Sequence, residues 1–152
     1  MSVGCCCGTC GTGTAGGWVA GHLETPAGRV PRAAVRWTWR DRLGAWAVCW
    51  GIGRMRYTVP PGLYAVGTPR QESPLLATAN YKLSFDHVRR ALAGLDAWVL
   101  VLDTQGVNVW CAAGKGTFGT AELVSRIGSS GVAHVVGHRT LVLPQLGAPG
   151  VA

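Results

Sequence analysis

"AWVLVLDT", residues 97–104, decides the fold class: its first six residues are apolar without interruption before Asp103 and Thr104 end the run. A strand wetted on one face alternates apolar and polar side chains, whereas one covered on both faces need not. The stretch therefore predicts an inner strand of a sheet with helices on both sides. Just before it, "SFDHVRRALAGL" (84–95) sets Phe85, Val88, Leu92 and Leu95 at helical spacing, with Ser84 as cap and Gly94 marking the end. Two more strands are predicted upstream: "GLYAVG" (62–67), closing at Gly67-Thr68-Pro69, and "PLLATAN" (74–80). Downstream comes a second helix, "TAELVSRI" (120–127), capped by Thr120 and stopped by Gly128. Strands at "AHVV" (133–136) and "RTLVLP" (139–144) follow. Alternating strands and helices give an α/β fold, a Rossmann-like open sheet with helices on both faces.

The chain has 152 residues, the size of one ordinary domain. Residues 1–34 read as a flexible tail rich in cysteine and glycine, and 35–152 as the folded domain. No apolar run approaches the roughly 18 residues of a membrane span. No lysine or arginine precedes Arg29, so the N-terminus does not read as a signal peptide. The chain is expected to be soluble or to lie against something.

The net charge of +7 is unevenly spread. Arg29, Arg32, Arg36, Arg40, Arg42, Arg54 and Arg56 are half of the fourteen basic residues, with Asp41 the sole acid among them. Trp37, Trp39, Trp46 and Trp50 are interleaved, and "TWRDRLGAW" predicts a short helix opening at Thr38. Such a segment can meet single-stranded nucleic acid, an anionic membrane or an acidic protein, or it can be a solvated arginine face over packed tryptophans. No nucleic-acid-binding module accompanies it, so no nucleic acid partner is expected.

Six cysteines fall into three groups. Cys5, Cys6, Cys7 and Cys10 crowd the tail with no second CxxC downstream to complete a zinc site. Cys49 reads as a small packed residue. Cys111 stands in "NVWCAAGKGTFGT" (108–120), directly after the strongest strand. Ligands of open α/β sheets bind beyond the carboxyl ends of strands, so Cys111 is expected on that edge, with Thr78 and Asn80 from a neighbouring strand.

Several chemistries compete for this motif. A phosphate loop needs G-x-x-x-x-G-K-[ST], but Gly114-Lys115 is followed by Gly116 and the first position is Val109. Gly114, Gly116 and Gly119 follow the dinucleotide spacing without a suitably placed acid about 20 residues on. A cysteine nucleophile needs a base, for which His87, His134 and His138 are candidates. A buried structural cysteine is the plain alternative.

Metal ligation is the reading that a resemblance adds. "NVWCAAGK", preceded by "AWVLVLDTQG" and followed by "GTFGT", resembles the cap-helix motif of the corrinoid protein of microbial mercury methylation. The likeness extends over "RWTWRDRLGAWAVCWGIGRMRYTVPPGLYAVG", "SPLLATANYKLSFDHVRRAL" and "HRTLVLPQLGAPGV", roughly residues 35–151. The large subunit of the corrinoid iron–sulfur protein of the acetyl-CoA pathway is similar across "ANYKLSFD" and "GKGTFGT", but does not carry cysteine at the position of Cys111.

The resemblance implies a cobalamin-type corrinoid, with Cys111 as catalytic residue and lower axial ligand of cobalt. Asn108, Val109, Trp110, Ala112, Ala113, Gly114 and Lys115 would form the cap helix around it. Ala112, Ala113 and Gly114 let backbone approach a flat macrocycle, and Lys115 offers a positive charge to the thiolate or to a corrinoid amide or phosphate. The implied activity is methyl transfer to inorganic Hg(II), giving methylmercury. The alternatives are a corrinoid methyl carrier of one-carbon metabolism and a non-catalytic docking module. Implied partners are a ferredoxin-like 4Fe–4S electron donor and a methyl donor protein or methyl-folate; no iron–sulfur cluster is expected in this chain. Relatives continue into further corrinoid-domain sequence and transmembrane helices on the cytoplasmic side of the inner membrane. The chain is thus expected to be an incomplete corrinoid domain without the transmembrane region.

Overall fold

A computed structural model describes residues 17–53 and 56–144. One mixed six-stranded sheet runs through them in the order β1-β2-β3-β5-β4-β6. The strands are β1 (Val19–Thr25), β2 (Gly28–Ala33), β3 (Gly62–Val66), β4 (Leu75–Ala79), β5 (Ala97–Leu102) and β6 (Leu141–Val142). The helices are α1 (Trp39–Cys49), α2 (Lys82–Ala91), α3 (Val109–Gly114) and α4 (Thr120–Ser130). No helix among the described residues is long and apolar enough to cross a membrane.

The uninterrupted apolar run of β5 is explained by its two faces. Ala97, Val99 and Val101 join Tyr64, Val66 and Leu76 beneath Phe85 and Val88 of α2 and Leu92 just past its end. Trp98, Leu100 and Leu102 point the other way, into a cluster with Leu63, Ala65 and Leu75 against Leu123 and Ile127 of α4. Every residue of β5 is buried. The open α/β sheet with helices on both faces is therefore as the sequence implies.

Several local expectations change. The expected tail contains a β-hairpin: β1 and β2 pair antiparallel, and β2 adds to β3 in parallel. The turn Thr25-Pro26-Ala27-Gly28 closes it, the Thr25 hydroxyl donating to the Gly28 carbonyl at 2.7 Å. Trp18 then packs on Tyr64 and Phe85, which anchors the hairpin to the core. Cys5, Cys6, Cys7 and Cys10 lie outside the described residues. The sheet is mixed rather than parallel, since β3 runs antiparallel to β5. The α2 helix starts at Lys82 with Tyr81 as N-cap, so Ser84 lies inside it, and Leu95 is exposed. In α4 the N-cap is Gly119 and the stop is Gly131 at φ 68°, one glycine beyond the expected Gly128. "AHVV" forms no strand, because Val132–His134 make a 3₁₀ turn that buries Val132 and Val135 under the sheet. "RTLVLP" keeps only the two residues of β6. Cys49 is exposed, not packed.

Thr38 does cap α1, as its sequence suggests. It forms a reciprocal capping box in which its hydroxyl accepts from the Asp41 amide at 3.2 Å, while its own amide donates to Asp41 Oδ2 at 2.9 Å.

Candidate functional site

The parallel pair β4 and β5 delivers Asn80 and Asp103 to the same edge of the sheet. Asn80 does not face outward from there. Its Oδ1 accepts from the amides of Thr104 at 3.1 Å and Gly106 at 3.0 Å, and its Nδ2 donates to Asp103 Oδ1 at 3.0 Å. The Thr104 hydroxyl stands 2.9 Å from Asn80 Oδ1 and 2.6 Å from the Val107 carbonyl, and donates to one at a time. From the other side, Glu122 of α4 accepts from the Asp103 amide at 2.9 Å. The loop needs this clamp because it turns through left-handed backbone at Gln105 (φ 56°) and Gly106 (φ 74°).

That loop aims the next element, α3. Asn108 is its N-cap, accepting through Oδ1 from the Cys111 amide at 2.9 Å. Val109 and Ala112, three residues apart, turn inward and are buried. Val109 packs with Val48, Ala79 and Tyr81. The outward side carries Trp110, Cys111, Gly114 and Lys115, all exposed. The following "GTFG" folds back onto the helix, the amides of Thr117 and Phe118 both donating to the Ala112 carbonyl at 2.9 and 3.1 Å. Cys111 is thus a presented thiol on a short helix pinned from below, not a core cysteine.

Beside it lies a cavity of about 320 Å³ lined by Tyr81, Leu83, Ser84, His87, Asn108, Val109 and Trp110, between α2 and α3. His87 is the one candidate base on this lining. His138 lies at the opposite edge, its Nε2 2.9 Å from the Ser73 carbonyl ahead of β4. His134 lines a different cavity with Arg70, Gln71 and Trp98. Among the described residues no three of His, Cys, Asp and Glu come together in a metal-binding group.

The structure therefore gathers Asn108 through Lys115 into one cap and ties Asn80 to its approach loop. Thr78 is different: one residue before the end of β4 and opposite Val101, it is fully buried. Sequence reasoning placed Asn80 on the edge correctly but missed its work as a loop clamp, along with Thr104 and Glu122. An asparagine ending a buried strand, facing an Asp-Thr at the end of the next, was the available signal.

Asn80→Ala should free the loop amides and loosen α3. The expected cost is about 2–3 kcal/mol, because buried donors lose their acceptor. Faster hydrogen exchange at residues 104–111 should accompany it. A thermal melt and exchange pattern matching the parent would remove the clamp role.

Residues 53–150 match the family of the CO dehydrogenase/acetyl-CoA synthase delta subunit, CdhD. Similar relatives are acetyl-CoA decarbonylase/synthase complex gamma subunits. That of Methanopyrus kandleri is 40% identical over 89 residues, 57% of this chain and 19% of the relative. That of Methanocaldococcus jannaschii is 34% identical over 97 residues, 62% of this chain and 20% of the relative. The Archaeoglobus fulgidus subunit is 34% identical over 92 residues, 59% and 20% respectively. The chain spans about a fifth of the length of these relatives. None of these three is named for mercury; they fall on the acetyl-CoA side of the two likenesses that the sequence suggests. The match spans β3 to β6 and the whole cap, more than half of the chain, so this chain belongs to the CdhD family.

Proposed function

We propose that this chain is the corrinoid-binding unit of a methyl carrier, in which Cys111 would hold the cobalt and Hg(II) would be the methyl acceptor. The observation that carries the reading is the exposed Cys111 thiol on a cap helix seated at the carboxyl edge of the sheet. The residues present suit such a group. A thiolate is a soft donor for a transition metal. Gly114, one turn along the same face, has no Cβ, and nothing stands within 4 Å of where one would be. A planar ring can therefore lie close to the backbone there.

A cobalt corrinoid supplies a metal centre that takes up and gives up a methyl group. The chain's own contribution is placement and electron donation. Asn108 and the Asn80 clamp fix the backbone that carries the thiol; Val109 and Ala112 hold the helix down. Ala113 and Gly114 keep the face low, while Lys115 sets a positive charge beside it. Trp110 and the adjoining cavity offer apolar surface to the edge of the ring. Thr78 serves this arrangement through the packing of β4 rather than by contact. The Cys111 thiolate would donate electron density to a metal held there, as cysteine does in haem–thiolate proteins, and such donation would suit methyl transfer to Hg(II). A ferredoxin-like reductant and a methyl donor complete the reading.

A second reading keeps the same site and makes the acceptor part of acetyl-CoA metabolism; the names of the similar gamma subunits favour it. Single-turnover transfer from the methylated, reconstituted protein separates the two. Methylmercury formation supports the first. Methyl exchange with methyl-folate without methylmercury supports the second.

Gly114→Leu tests the cap itself. A helical position with open space around it accepts leucine with no loss of stability. Corrinoid affinity should nevertheless fall at least about tenfold, or about 1.4 kcal/mol. Unchanged affinity would put the ring elsewhere.

A further inference from the structure

Helix α1 is built inside out. Its inner face places Asp41, Gly44 and Val48 against the body of the protein, and Asp41 is a charged residue buried to 4% exposure. Its outer face carries Trp39, Leu43, Trp46 and Trp50 at spacings of four, three and four, followed by Ile52. These five are 68%, 54%, 62%, 72% and 65% exposed. An amphipathic helix normally buries such a stripe. Here the apolar side chains are held outward by the polar contacts on the inner face: Asp41 pairs with Lys82 at 2.7 Å and Arg89 at 2.9 Å. Gly44 admits the Tyr57 ring, which a Cβ there would strike at 2.7 Å. The helix cannot roll over to hide its tryptophans without unpairing buried charges.

The charge around the stripe is of one sign. Arg40 and Arg42 are exposed on the same helix, Arg36 and Arg56 are exposed before and after it in sequence, and Arg40 lies over the Trp39 ring at 5.7 Å. The only acid between residues 34 and 57 is Asp41, already neutralised inside.

We infer that α1 is a membrane-surface helix, docking this domain on an anionic bilayer with Trp39, Leu43, Trp46 and Trp50 in the headgroup zone and the arginines on lipid phosphates. Tryptophan favours the boundary between hydrocarbon and water, where its ring is buried and its N–H stays wet. Arginine stems lie along apolar surface while the guanidinium reaches anionic headgroups. An 11-residue helix is too short to cross a bilayer, so one that sets tryptophans outward with arginines on their flanks lies along the interface. The inference goes beyond the corrinoid reading and does not depend on it.

The test uses the whole chain without cofactor. It should co-sediment with vesicles of phosphatidylcholine doped with phosphatidylglycerol, far less with phosphatidylcholine alone, and progressively less as salt rises. Trp46→Ser/Trp50→Ser and Arg40→Glu/Arg42→Glu should each lower partitioning at least about tenfold. Both pairs are exposed, so melting temperatures should stay near the parent's. Equal binding to neutral vesicles, or full binding by either variant, overturns the inference. So does a dimer in sedimentation velocity that the tryptophan variant dissociates, which would make the stripe a self-interface. Saturable binding of an acidic ferredoxin-type protein through the same residues, with no vesicle binding, overturns it in favour of a protein partner.

Discussion

If Cys111 holds cobalt as proposed, Cys111→Ala is expected to lower methyl transfer to Hg(II) by at least about a hundredfold, about 2.7 kcal/mol of transition-state stabilisation, while leaving the fold intact. The two halves of this expectation rest on different observations. The fold is safe because the Cys111 side chain is exposed. What the structure uses at this position is the backbone amide, bonded to Asn108, and alanine keeps it. Alanine is also the better helix former, so the change in stability should stay within about 0.5 kcal/mol. The activity should fall because no other thiol stands on this cap; Cys49, the other free cysteine among the described residues, ends α1.

The visible spectrum of the reconstituted protein makes the result specific. A loss of activity with a changed cobalt spectrum places Cys111 on the metal. The same loss with an unchanged spectrum assigns it a separate role, such as holding Hg(II). Activity equal to the parent's sinks the ligand assignment. Cys111→Thr, which puts a hydroxyl and a methyl in place of the thiol, should on that reading retain some corrinoid binding and lose mercury methylation.

The sheet was legible where one residue pattern had one physical meaning. The unbroken β5 run, ended by Asp103 and Thr104, matched a strand buried on both faces, and Phe85, Val88 and Leu92 at helical spacing matched a helix face over its core. The cap was legible through the resemblance carried by "NVWCAAGK", and Asn108 does cap the short helix that the motif implies. The hairpin was hidden by glycine and proline, residues that read as tail until Gly28 and Pro26 are seen to close a turn. "AHVV" was ambiguous in itself: a short apolar run suits a strand or a buried turn equally, and Gly131 in the left-handed region decides for the turn. The basic segment was left undecided. Packed tryptophans were one of its readings, but the side of α1 that faces inward is set by Lys82 and Arg89, more than forty positions away, which no local periodicity reveals.

Those charges yield the largest expected effect on stability. Arg89 is fully buried, and it binds Asp86 Oδ1 through Nε at 2.7 Å and Asp41 Oδ2 through Nη2 at 2.9 Å. Its Nη1 donates to the carbonyls of Ala34 and Arg36. Lys82 bridges the same two carboxylates, so two acids and two bases neutralise each other between α1 and α2. Arg89→Met keeps much of the volume and removes the charge, leaving two carboxylates to share one ammonium. The expected cost is about 3–5 kcal/mol, the penalty of a broken buried pair. The pH dependence should change with it. Burial pushes the Asp41 carboxyl upward, but the Lys82 ammonium and the Thr38 amide outweigh it and hold the group well below the ordinary carboxylate range. A lowered acid contributes stability above its unfolded pKa, near 4, and loses that contribution as pH falls toward the folded value. The parent should therefore weaken steadily below about pH 4. In Arg89→Met one carboxylate can take up a proton at little cost, so the gap between variant and parent should narrow on acidification. Urea titrations at pH 7 and pH 4 measure both quantities. A gap that is small at pH 7, or one that widens toward pH 4, would mean that the cluster is not what fastens α1 to α2.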